Sequence, residues 1–114
     1  MTPQMIRAEC LSFPHVTETV QWGDHLVFKI GGKSFCITTL EPSPHLCSFK
    51  CGPESFAELV ERPGIVPAPY LARAHWVAVE DPNALTWSEI RGHLRAAYDL
   101  AFSKLPKKVR ASLQ

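Results

Sequence analysis

The stretch HLVFKIGGKSFCITTL, residues 25–40, decides the fold. Two runs rich in aromatic and β-branched residues flank Gly31-Gly32, and two consecutive glycines supply the positive φ angles of a tight hairpin turn. If Ile30 pairs with Lys33, then Phe28 faces Phe35 and Leu26 faces Ile37. One face of the hairpin then collects Leu26, Phe28, Ile30, Phe35 and Ile37. The other face is then mixed and half-solvated, with Val27, Lys29, Ser34, Cys36 and Thr38. The pattern predicts an antiparallel sheet with one apolar face.

Further strands and a helix are predicted on both sides of this hairpin. Thr2-Pro3 caps a first helix that continues through Ser12, because Thr is a good N-cap and Pro is tolerated at the first helical position. Alternating apolar residues predict two more strands, within residues 46–51 (LCSFKC) and 75–81 (HWVAVED). Residues 17–23 (TETVQWG) are predicted to form a short strand or an extended lead-in to the hairpin.

The rest of the chain is predicted to be helical, with one loop and one tail. Pro53 begins a second helix, which ends at Pro63-Gly64. Residues 65–74 (IVPAPYLARA) are predicted to form a loop, because prolines interrupt a strand ladder. Thr86 and Glu89 form a capping box for a last helix, which Pro106 ends, leaving a basic tail. These elements predict an α+β fold, an antiparallel sheet with helices packed on one face, in a single domain, residues 1–114.

Composition limits the class of protein. Of 114 residues, 46% are hydrophobic and 20% are charged, which is typical of a globular domain and excludes intrinsic disorder. No stretch is apolar enough for a membrane span, and the first residues lack the apolar core of a signal peptide. Four cysteines in such a chain predict reduced thiols and a cytoplasmic protein with no membrane partner.

The sequence favours neither a metal site nor a catalytic site. Zinc accepts ligands of the types found at His45, Cys47, Cys51 and His75, but their spacing matches no standard structural site. Cysteine in an alternating strand behaves as a small hydrophobe. Phosphate-loop, nucleophile-elbow and zinc-protease motifs do not occur. We therefore expect no metal, no cofactor and no enzymatic activity.

Positive charge is concentrated at the C-terminus. Residues 101–114 contain four cations and no acid, and since the whole chain carries +1, residues 1–100 carry −3. The four cations are Lys104, Lys107, Lys108 and Arg110. Such asymmetry favours weak, nonspecific nucleic-acid binding, although a solvated tail that complements a helix C-terminus is the simpler alternative. Lys29 and Lys33 at the hairpin tip fit either a supporting wing or ordinary protection of a sheet edge.

A second candidate site is the Pro-rich loop before His75-Trp76. An indole stacks on planar ligands while an imidazole or guanidinium contacts an anion, so Tyr70, Arg73, His75 and Trp76 predict a site for a small ligand or a protein. The alternative is that Trp76 fills the core and His75 caps the loop. Arg73 is also a candidate for nucleic-acid binding.

The chain resembles the MmcQ/YjbR-like family of small bacterial proteins. Four stretches carry the resemblance: LSFPHVTETVQWG, VFKIGGKSF, FKCGPESFAELVERPGIVPAPYLARAHWVAV and AAYDLAFSKLPKKVR. They cover nearly the whole chain in the family's order, although Ala72-Arg73 replaces the usual Asn-Lys and Gly52 replaces an Asp.

The resemblance implies a fold like that of the bacterial frataxin CyaY and the "double wing" DNA-binding function attached to the family. Frataxin-like folds bind iron through an acidic ridge on the first helix. Here the first helix offers only Glu9, and hard cations need several oxygen ligands, so iron binding is not expected.

Overall fold

The fold is an antiparallel sheet flanked by helices. A computed structural model describes residues 1–41 and 43–113. In chain order the elements are α1 (Pro3–Leu11), β1 (Val16–Gln21), β2 (His25–Ile30), β3 (Lys33–Thr39), β4 (Cys47–Lys50), α2 (Pro53–Leu59), β5 (Ile65–Pro67), a 3₁₀ helix (Ala72–Ala74), β6 (Trp76–Val79), α3 (Trp87–Ser103) and α4 (Lys107–Ser112). The strands form one sheet in the order β1-β2-β3-β4-β6-β5, and neighbouring strands are antiparallel. The predicted α+β class is confirmed.

The central hairpin contains an irregularity that the sequence pattern does not predict. Ile30 pairs with Lys33 as expected, and Gly31 and Gly32 make the turn at φ 57° and 83°. The predicted pairing of Phe28 with Phe35 is wrong, because the register shifts and Phe28 lies opposite Cys36. Phe35 is therefore the extra residue of a β-bulge. One consequence is that Ile37 moves to the face opposite Phe28.

Each face of the sheet has its own apolar cluster. The larger one lies under the helices, where Ile6 of α1, Leu59 of α2 and Ile90 of α3 pack on strand residues such as Phe28 and Phe49. The smaller one, on the opposite face, consists of Val27, Ile37, Ala68, Trp76 and Ala78. The face predicted to be half-solvated is therefore partly covered, and the Pro-rich segment covers it.

The Pro-rich segment is more ordered than the predicted loop. Its first residues form β5, in which Ile65 pairs with Val79 and Val66 with Ala78. Proline fits here because β5 is an edge strand and Pro67 is its last residue, so no inner ladder bond is lost. The amide of Ala68 then donates to the carbonyl of Trp76 at 3.0 Å. These bonds hold the segment against the second face of the sheet.

The two C-terminal helices are joined at Pro106. The predicted capping box is confirmed: the Glu89 amide donates to Thr86 Oγ1 at 3.1 Å, and the Thr86 amide donates to Glu89 Oε1 at 3.0 Å. The predicted tail is wrong, because residues after Pro106 form α4, whose Val109 and Leu113 pack against the helix-side core. Pro106 both ends α3 and begins α4, since proline is disfavoured inside a helix but suits a helix start. No helix in the described part of the chain is long and apolar enough to cross a membrane.

Unfolding is expected to depend on pH through His93. Its ring stacks on Phe49 with centroids 5.4 Å apart, and burial lowers the pKa of His93 below its usual value. The unfolded chain therefore binds the proton more readily than the folded one. The free energy of unfolding should fall as pH drops through about 6.5 and level off below the folded-state pKa. Urea titrations between about pH 8 and 5 measure this loss.

A pair of variants distinguishes the effect of His93 on stability from that of the other histidines. His93→Gln should flatten the stability profile in this pH window, whereas the exposed-site variant His15→Asn should keep it, since Asn tolerates the left-handed backbone of that position. An unchanged profile in His93→Gln contradicts the assignment.

Candidate functional site

The cations of the protein fall into two sets. Of twelve lysines and arginines, four arginines form ion pairs with carboxylates at 3.3 Å or less: Arg7, Arg62, Arg91 and Arg95. Within residues 1–41 and 43–113, the other eight have no carboxylate partner: Lys29, Lys33, Lys50, Arg73, Lys104, Lys107, Lys108 and Arg110. All seven cations predicted from the sequence belong to this second set, which adds Lys50.

The hairpin tip packs directly against the end of α3. A Cβ atom placed on Gly31 would lie 2.7 Å from Leu105 Cδ1, so any other residue there would require the Leu105 side chain to shift. Its φ of 57° is also a left-handed conformation that favours glycine. The close approach of Gly31 to Leu105 brings Lys33, which follows the turn, to the same end of the sheet as Lys104, which ends α3.

A cleft of about 290 Å³ opens where these elements meet. Its lining residues, which we call the lysine cleft, are Gly32, Lys33, Ser34, Lys50, Trp76, Ala101 and Lys104. No acidic side chain lines the cleft among the residues that the structure describes. Burial lowers the pKa of Lys50, and the positive charges of Lys104 and Lys33 lower it further. The ammonium group of Lys50 is thus close enough to those of Lys33 and Lys104 to be repelled by both.

Uncompensated cations around a cleft favour anion binding. A lysine is a compact charge with three donors, and low-dielectric walls focus the field of several such charges into the cavity between them. The Ser34 hydroxyl adds a further donor at its wall. An anion with several oxygens, such as a phosphate, satisfies these groups and relieves their mutual repulsion.

The α4 cations extend the positive surface but differ in exposure. Lys107 and Lys108 are exposed in the first turn of α4, where a helix favours acidic rather than basic side chains. Lys104 can therefore complement the C-terminus of α3, but Lys107 and Lys108 cannot be explained in this way. Arg110 is half-buried, and its Nε is buried without a hydrogen-bond partner.

The residues predicted to form the loop site do not come together. Trp76 is 3% exposed and packs in the second cluster, so the structure gives its indole a packing role and exposes too little of the ring for a ligand to stack on it. The carbonyl of His75 accepts from the amide and the thiol of Cys51, and its ring contacts Phe56. Arg73 lies exposed in the 3₁₀ helix. Of the four residues, only Tyr70 lines a separate groove.

This groove is the larger cavity, of about 550 Å³. Its lining residues, which we call the aromatic groove, are Trp22, His25, Ile37, His45, Ser48, Ala68, Pro69, Tyr70 and Leu71. The sequence did not indicate Trp22 or His25 as parts of a site, and it suggested His45 only as a candidate zinc ligand. The sequence does place an aromatic residue, Trp22, beside Gly23 at the end of a strand. That pattern does not indicate that the Pro-rich segment lies across the groove from it.

Cysteines belong to the core rather than to either cavity. All four are free and buried. Burial raises the pKa of the Cys47 thiol to about 12 and that of Cys51 to about 11, so both stay protonated at neutral pH. Protonated buried thiols are unreactive. His45, the nearest candidate ligand in sequence, lies 3.5 Å from Glu80 instead.

Comparison with known proteins identifies the family. The family model described as YjbR matches residues 11–100. The chain belongs to the YjbR family. This YjbR protein is similar to the Deinococcus radiodurans protein DR2400, which has the domain DUF419: the TM-score is 0.86 and the identity 30%, over 98% of this chain and 87% of that one.

A more distant structure shows the same fold. A protein from Pseudomonas syringae, target PsR293, matches with a TM-score of 0.72 and 19% identity, over 89% of this chain and 99% of that one. No curated protein matches the sequence. The likeness to frataxin-type folds stays a prediction.

Proposed function

We propose that this YjbR protein binds nucleic acid weakly and without sequence preference, as a binding protein rather than an enzyme. The observation that carries the proposal is the convergence of Lys33, Lys50 and Lys104 on one cleft without an acidic wall residue in the described part of the chain. Binding through phosphates alone is indifferent to sequence, because every nucleotide offers the same anionic group. A cytoplasmic location, predicted from the sequence, is part of this proposal.

The energetics of Lys50 support a binding role over a structural one. Its burial and its two cationic neighbours both disfavour the charged form. A lysine in this position therefore does not stabilise the fold through its charge. A bound phosphate would attract all three ammonium groups and so offset their repulsion and the cost of burying Lys50. Lys107 and Lys108 lie at the adjacent helix start and offer further phosphate contacts.

The affinity is expected to be low because the net charge is only +1. The whole molecule therefore attracts polyanions weakly at long range, and the attraction depends on the local cluster. Contacts from four cations support weak binding of the kind typical of nonspecific nucleic-acid association.

Neutralising the cleft is expected to weaken binding at least about tenfold. The measurement is fluorescence anisotropy of labelled duplex and single-stranded DNA at about 50 mM salt, with wild type compared with the double variant Lys33→Gln/Lys104→Gln. Lys50→Gln should also weaken binding, yet raise the melting temperature slightly, because it removes a half-buried charge that its neighbours repel.

A matched control tests whether position or net charge matters. Gln4→Glu/Asn83→Asp changes the net charge by the same amount at two exposed positions outside the cleft, and should bind like wild type. Equal losses in both double variants, or no binding to either DNA, would contradict the proposed function.

A further inference from the structure

The aromatic groove lies on the second face of the sheet, and the lysine cleft lies at the end of the sheet, with strand β4 lining both. Ser48 lines the groove and Lys50 lines the cleft, and both are on β4. Residues two apart in a strand point to the same side and lie about 7 Å apart. Their partners on β6 are Ala78 and Trp76, which both belong to the second cluster. One extended ligand can therefore reach both cavities.

Two exposed aromatic side chains border the groove. Trp22 is 67% exposed and Tyr70 is fully exposed, so neither ring contributes much to the core. Both residues also have left-handed backbone conformations, at φ 51° and 65°, which are costly for aromatic residues. Strained, exposed aromatic residues on a cavity wall are typical of a binding site, because a ligand that covers the rings supplies the missing burial.

The groove suits a planar, partly polar ligand. Ile37, Ala68 and Leu71 give it an apolar floor shared with the second cluster. The polar side-chain groups in its lining are those of His25, His45 and Ser48, the Tyr70 hydroxyl and the Trp22 indole N–H. A nucleobase has flat apolar faces and a hydrogen-bonding edge, and bases stack well on Trp and Tyr.

We propose that the aromatic groove holds one unstacked base of a single strand whose neighbouring phosphates occupy the lysine cleft. The proposal rests on the proposed function, since the phosphates bring the strand to this face. Charge complementarity selects this occupant over an uncharged aromatic compound, because the cleft beside the groove is cationic. Bases inside a duplex are stacked and paired, so the groove favours single strands.

The test compares two single strands with the same backbone charge. One is a labelled oligothymidylate; the other has the same length but carries abasic residues. Wild type should bind the oligothymidylate at least about tenfold more tightly, the effect of stacking one base. The variant Trp22→Asn/Tyr70→Asn should lose this preference and keep its affinity for the abasic strand. Asn tolerates the left-handed backbone at both positions, so the fold is preserved.

Controls assign each outcome to one site. Met5→Gln, which replaces an exposed apolar residue on α1 outside the groove, should keep the preference for bases. Lys33→Gln/Lys104→Gln should weaken the binding of both strands equally. Equal affinity of wild type for the two strands, or a preference that survives in Trp22→Asn/Tyr70→Asn, overturns the base site and leaves the phosphate site standing. Failure of wild type to bind either strand overturns the proposed function and the base site together.

Discussion

Raising the salt concentration from about 50 to about 200 mM is expected to weaken the binding of duplex DNA by about 150-fold. The reason is counterion release: four phosphate contacts, three in the lysine cleft and one from the first turn of α4, give a slope of about −3.6 in log K against log salt for a duplex. Anisotropy titrations at several salt concentrations measure this slope directly.

The double variant provides the decisive comparison for the salt effect. Lys33→Gln/Lys104→Gln removes two of the four contacts, so its slope should fall to about −1.8 and its loss over the same salt range to about 12-fold. The control Gln4→Glu/Asn83→Asp should retain the wild-type slope. A wild-type slope near zero, or one that the cleft variant leaves unchanged, is incompatible with phosphates bound at these lysines.

Replacing Gly64 by alanine is expected to destabilise the protein by about 2–5 kcal/mol. Gly64 has a φ of 88°, and a Cβ there would lie 2.5 Å from the Cβ of Asp81 and 3.2 Å from that of Ala84. The residue cannot move aside easily, because its carbonyl accepts the amides of Glu80 and Asp81 at 2.8 and 3.2 Å. The backbone conformation contributes about 1–2 kcal/mol and the overlap about 1–3 kcal/mol.

A second glycine offers a control of opposite sign. Gly92 lies exposed within α3, and nothing is within 4 Å of a Cβ placed there. Gly92→Ala should therefore stabilise the protein by about 0.5–1 kcal/mol, since alanine is the better helix former. Urea denaturation measures both changes. Similar effects at the two positions would show that the packing around Gly64 is looser than described.

Local signals predicted the fold well, and tertiary contacts account for the errors. The glycine turn and the capping box are complete within a few residues of sequence, and both are confirmed. The bulge at Phe35 is different, because it depends on which residues the helices cover. Helix α4 was not predicted for a similar reason. Its two core contacts, Val109 and Leu113, form only when the folded core is present.

The candidate site was predictable in its charges but not in its shape. Charge asymmetry singled out Lys104 and the cations of α4, yet Lys50 looks like one polar residue of an alternating strand. Its role in the cleft depends on pairing with Trp76 and on the approach of α3, neither of which a strand pattern encodes. Trp22 and Tyr70 line the same groove because the Pro-rich segment packs on this face of the sheet.

The contact between Gly31 and Leu105 has a mechanical consequence for recognition. The spacing between the ammonium groups of Lys33 and Lys104 depends on how closely the turn approaches the helix end, and the missing side chain of Gly31 permits that approach. A methyl group at this uncharged position would require Leu105 to move and would strain the turn, so it would disturb the spacing of the two lysines. The protein would keep every positive charge, but the spacing between the ammonium groups would no longer match the spacing of a ligand's anionic groups.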